Sequence, residues 1–149
     1  MSIVSQITED IKTAMKAKDR DTLDALRAAK SEFLLAATSK GAEGEVDDET
    51  AMKVLQKLLK QRMESADLYA NQNREDLRAD ELRQADVLSR YLPKPMDDSE
   101  LEQAIAAIVS ETGASGMADM GKVMGAASKK LAGKADGKRI SSFVKAALN

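Results

Sequence analysis

Apolar residues recur along this chain at three- and four-residue steps, the period of a helix with one buried face. Ile3, Ile7, Ile11, Ala14 and Met15 mark a first helix over about Ser2–Lys18, with Lys16 and Lys18 set against the negative end of its dipole. Asp19 or Asp21 can cap a second helix running to about Ser39, with Leu23, Leu26, Phe33, Leu34 and Ala37 facing inward. The stretch Gly41–Glu45 reads as a loop. Asp47 then caps a long third helix to about Asn71, striped by Ala51, Leu55, Leu58, Leu59, Ala66 and Tyr69. Asn71-Gln72-Asn73 breaks it. A highly charged fourth helix follows to about Tyr91, with the least regular stripe: Leu77, Leu82, Ala85, Leu88 and Leu92.

Both prolines of the chain, Pro93 and Pro95, come next. Each disfavours helix in the residue before it and lacks an N–H, so the helix must stop. Residues 93–96 are therefore the expected linker between a 1–92 N-terminal domain and a 97–149 C-terminal domain. Asp97 and Glu100 restart a helix with a capping-box spacing. This fifth helix carries Leu101, Ile105, Ile108 and Val109 and ends before Gly113. In the closing third, Met117, Met120, Met124, Ala127 and Leu131 predict a sixth helix, and Ile140, Phe143, Val144, Ala147 and Leu148 a seventh. Gly133 suits the left-handed position after the sixth helix, and Asp136 the N-cap of the seventh. The expected fold is all-α: a four-helix bundle followed by a three-helix bundle.

Composition agrees, with two Pro, two Phe, two Tyr and no Trp in 149 residues. Such a core must be aliphatic and Met-filled. No stretch approaches the ~18 apolar residues of a membrane span, and the first residues show no basic segment followed by an apolar block. A cytoplasmic location without a membrane partner is the resulting expectation. Cys and His are both absent from the sequence. That excludes disulfides, thiol nucleophiles and Cys/His zinc sites, and it removes the commonest general base. No cofactor and no metal is expected.

Charge is unevenly spread. Residues 1–92 hold fifteen basic and eighteen acidic groups, whereas residues 117–149 hold seven against two. The seven are Lys122, Lys129, Lys130, Lys134, Lys138, Arg139 and Lys145, expected together on the outer face of the last two helices. Such asymmetry suits an anionic partner for that part alone. The plainer reading is a solvated helix face.

Gly116–Val123 nearly matches a phosphate-binding loop, but Val123 replaces the magnesium-binding hydroxyl and no strand precedes it. Gly121 and Gly125 form a GxxxG pair, read as close backbone packing. The methionines 117, 120 and 124 read as core filler rather than a pliable groove. Asp47-Asp48-Glu49 and Asp97-Asp98 stand at helix starts, where the dipole accounts for them without a metal.

Several stretches carry a family resemblance: Arg74-Glu75-Asp76-Leu77, Tyr91-Leu92-Pro93-Lys94, Glu111-Thr112-Gly113-Ala114, Asp119–Gly125 and Gly133–Lys138. Spread along the full length, they resemble the YqeY-like proteins of the GatB/YqeY group. Gly121, Val123, Met124, Gly133, Lys134 and Ala135 are also similar to the tail domain of the tRNA-dependent amidotransferase B subunit. Ala132 stands where that tail has lysine, and Gly137 where it often has proline. The resemblance implies RNA handling by a tRNA-binding accessory module, since transamidation lies in domains absent from this chain. An alternative is a protein-interaction module docking on translation or amidotransferase machinery through acidic N-terminal helices. A third class is an amidotransferase-like carbon–nitrogen ligase component using glutamine as amide donor, but no nucleophile–base pair is visible for it.

Overall fold

The computed structural model describes residues 1–39, 41 and 44–149. Seven α-helices follow one another with no strand among the described residues: α1 (Ile3–Ala17), α2 (Arg20–Ser39), α3 (Asp48–Asn71), α4 (Glu75–Ser89), α5 (Asp98–Thr112), α6 (Met120–Lys130) and α7 (Gly137–Leu148). They form two compact units, Met1–Leu92 and Pro93–Asn149. The expected loop Gly41–Glu45 falls partly outside the described residues, since Ala42 lies there with Glu43.

Helix ends follow the capping chemistry of the sequence. Asp19 rather than Asp21 starts α2: its carboxylate accepts the Thr22 N–H at 3.2 Å and the Thr22 hydroxyl at 2.7 Å. These bonds hold the Asp19 carboxyl below its ordinary range. Asp47, Asp97 and Asp136 accept the N–H groups of Thr50, Glu100 and Arg139 at 2.7–2.8 Å. Three helices end in a left-handed residue: Lys18, Asn73 and Gly113. After each, the next N–H reaches back five residues, from Asp19 to Ala14, from Arg74 to Tyr69 and from Ala114 to Val109. That is the Schellman closure, which satisfies carbonyls the helix leaves open.

In the first unit α2 touches α1, α3 and α4, and α3 lies along α4. The small side chains Ala25 and Ala29 on α2 are fully buried, so its neighbours approach closely around Leu26 and Phe33. Ile7, Leu55 and Leu88 complete the centre. Several expected core positions face outward instead. Leu34 is 66% exposed, and Met15 also lies on the surface. At about 100° per residue, Leu34 is rotated by a quarter turn from Phe33, beyond the width of the buried stripe.

The second unit packs α5, α6 and α7 against one another. The stripes are Leu101, Ile105 and Ile108 from α5; Val123 and Ala127 from α6, with Leu131 at its C-cap; and Ile140, Val144 and Leu148 from α7. The expected sixth helix starts late. Met117–Asp119 is a 3-10 turn, and its tighter winding carries Met117 off the stripe, leaving it 46% exposed. Val123 is completely buried, while Met120 and Met124 pack at the edge of the core. Ala147, placed inward by the pattern, is exposed.

Tyr91, two residues past α4, donates its hydroxyl to Asp10 Oδ2 on α1 at 2.5 Å. Burial, and then this bond, raise the phenol above the ordinary tyrosine range. The folded state thus favours the neutral phenol. Its contribution is complete below about pH 10, the unfolded value, and is lost as pH rises beyond it. Tyr91→Phe should cost about 1 kcal/mol at pH 8. Urea unfolding should show that difference shrinking between pH 10 and 11; a gap that stays constant with pH would contradict this coupling.

Candidate nucleic-acid interface

The second unit fixes its basic side chains through the same stripes that make its core. On α6, Lys122 and Lys129 are seven residues apart and project opposite Val123, Ala127 and Leu131; both are exposed. On α7, Lys138 and Lys145 repeat that spacing on one exposed side. Lys134 is exposed in the turn between the helices, where its N–H donates to the Leu131 carbonyl at 3.0 Å. No ion pair holds these five side chains among the described residues. The two carboxylates of the closing third are engaged locally. Asp119 accepts the Ser115 N–H at 3.0 Å, and Asp136 caps α7.

The other two expected members have internal partners. Lys130 pairs with Glu111 of α5. One residue beyond Lys129, it is turned by about 100° towards the α5 seam. Arg139 donates from Nη1 to the Met96 carbonyl at 2.9 Å and from Nη2 to Asp98 at 2.8 Å. Its guanidinium carbon also lies 6.0 Å from the centre of the Phe143 ring. Arg139 is therefore a clamp between the two ends of its unit as well as a positive charge. Met96 is held twice, because its N–H donates to the Lys134 carbonyl at 3.0 Å. The ordered part of this unit thus reaches back into the expected 93–96 linker. Sequence reasoning missed this because Arg139 and Asp98 are far apart in the chain.

The expected close packing at Gly121 and Gly125 is absent. A Cβ built on either meets no heavy atom within 4 Å. Both are exposed beside the lysine face, well away from the Val123–Leu131 stripe. Among the described residues no group of three or more acidic side chains could hold a metal, and no helix is long and apolar enough to cross a membrane.

A family model described as Yqey-like protein matches residues 4–148. The chain belongs to the YqeY-like family. Two curated relatives carry the name "Altered inheritance of mitochondria protein 41, mitochondrial". One, from Meyerozyma guilliermondii, is 40% identical over 95 residues, 60% of this chain and 46% of its own length. The other, from Pyrenophora tritici-repentis, is 29% identical over 135 residues, 89% of this chain and 73% of its own. The chain thus spans less than half of the first relative and about three quarters of the second.

Arg139 and Lys138 are neighbours with opposite roles, and substitution should separate them. Arg139→Gln leaves the Met96 carbonyl and Asp98 without their cation and should cost about 1 kcal/mol, a partly exposed pair being worth little more. Lys138→Gln should stay within about 0.5 kcal/mol of the parent. Denaturant unfolding followed by circular dichroism checks both values; equal effects would remove the clamp.

Proposed function

We propose that this YqeY-like chain is an RNA-binding accessory module, with tRNA as the expected ligand and no chemistry of its own. One observation carries the reading: the exposed faces of α6 and α7 hold basic side chains whose carboxylate neighbours are already engaged. Lys122, Lys129, Lys134, Lys138 and Lys145 are the contact residues. Lys130 and Arg139, paired with Glu111 and Asp98, border this face and tie its helices to α5 and its approach. The resemblance of this third to the amidotransferase tail supports the same surface, and amidotransferase or translation proteins are the partners it suggests. A cytoplasmic location belongs to the proposal; the mitochondrial designation is that of the two relatives.

The chemistry of the face selects phosphates over bases. Lysine ammonium groups are point charges without base-reading geometry, and the unit's sole aromatic, Phe143, is half-buried against the core. Gly121 and Gly125 leave the helix surface low beside Lys122 and Lys129, so a sugar–phosphate chain can lie against it. Shape and backbone recognition follows, as for structured RNA.

If about three to five phosphates are neutralised, log affinity should fall against log salt with a slope of roughly −2 to −4. Lys122→Glu combined with Lys129→Glu should abolish tRNA binding in a filter assay while helicity is retained. Parental affinity in that double variant, or no tRNA binding by the parent at low salt, would refute the reading.

A further inference from the structure

A second feature lies in the first unit and is independent of the RNA reading. The outer side of α2 presents Arg27, Lys30 and Leu34 on one face, the first and last seven positions or nearly two helical turns apart. Beside them runs an open groove of about 390 Å³. Its floor is apolar, made by Val4 and Phe33, and Val46 stands on the far side. Leu34 is 66% exposed, an unusual setting for a leucine beside an apolar groove. Leu35, 59% exposed, continues the apolar surface around α2 to a second groove of about 330 Å³ against Val54 and Leu58 of α3.

Charge decides what fits. This unit carries more acidic than basic groups, yet Arg27 and Lys30 stand at the groove with no ion pair or hydrogen bond among the described residues. The acid on the opposite wall, Glu45, accepts a hydrogen bond from the Ser2 hydroxyl. Along α2 the two cations lie about 6 and 10 Å from Leu34 at 1.5 Å per residue. An occupant must therefore bring apolar side chains to the groove and carboxylates one and two helical turns away. The open form of the groove, with a leucine projecting from its wall, suits a laid-in helix better than an enclosed acyl chain.

We propose that this α2 face is a docking site for an acidic amphipathic helix of a partner protein. Its leucine-type side chains seat beside Leu34 over Phe33, and its carboxylates pair with Arg27 and Lys30. The pairs set orientation and selectivity, while the apolar contact supplies the hold.

The test uses the full chain and a fluorescein-labelled helical peptide of about 20 residues. It carries leucines at i, i+4 and i+7 with glutamates one and two turns away at both ends, so either chain direction can pair. A control peptide has lysine at each glutamate. The glutamate peptide should bind at least tenfold more tightly than the control in fluorescence anisotropy. Leu34→Glu should weaken binding at least tenfold, and Arg27→Glu with Lys30→Glu should reverse the preference towards the lysine peptide. Both alter exposed side chains, and unchanged circular dichroism verifies folding. Equal binding of the two peptides, or binding of neither, overturns the proposal. So does binding only to phosphatidylglycerol vesicles, which would mark a lipid surface. Self-association of the chain abolished by Leu34→Glu would assign the face to a second copy and overturn it too.

Discussion

The burial of one stripe on α7 governs the second unit. Ile140, Val144 and Leu148 pack against both α5 and α6, so both helices must fit the same surface. Each such side chain contributes roughly 1.5–3 kcal/mol when removed from water, and a unit this small has few to use. With the apolar positions turned inward, the polar positions face out without further constraint. In α6 and α7 those positions are mostly lysine, glycine and small residues. The basic face is thus a consequence of the core register: turning α7 by one residue would displace its lysines and its core stripe together.

The ends of this unit are tied by fewer, more specific contacts. Arg139 joins the first turn of α7 to Met96 and Asp98, and the Lys134 carbonyl returns to Met96. These contacts brace the turn that carries Lys134. Of seven cations that looked equivalent in the sequence, Lys130 and Arg139 help to position the rest. The same division appears at the caps, where Asp136 neutralises the start of α7 without reaching the lysine side.

Much of this was legible in the sequence, for local reasons. Asp47, Asp97 and Asp136 cap as expected because an N-cap needs one oxygen and an N–H three residues on. The all-helical class and family membership also follow from features spread along the whole chain. What failed was facing. Leu34, Met15, Met117 and Ala147 fit the three- and four-residue spacing, yet the arc each helix buries is narrower than that spacing allows. Val123, read as a missing hydroxyl and a point of family resemblance but not as core, sits at the centre of its unit. Gly121 and Gly125 looked like a packing seam, and only the third dimension shows open space beside them. The division of labour between Arg139 and Lys138 was equally hidden, since it depends on an acid far away in the chain.

The proposed RNA contact is made by the α6–α7 lysine face, to phosphates. A ¹⁵N-resolved NMR titration of the full chain with tRNA at low salt tests it most directly. The largest backbone amide changes should fall at Lys122, Gly125, Lys129, Lys138 and Lys145 and fade as salt is raised, with residues 1–92 nearly unmoved. Changes concentrated on α1–α4, or an unperturbed α6 and α7 at saturating tRNA, would contradict it.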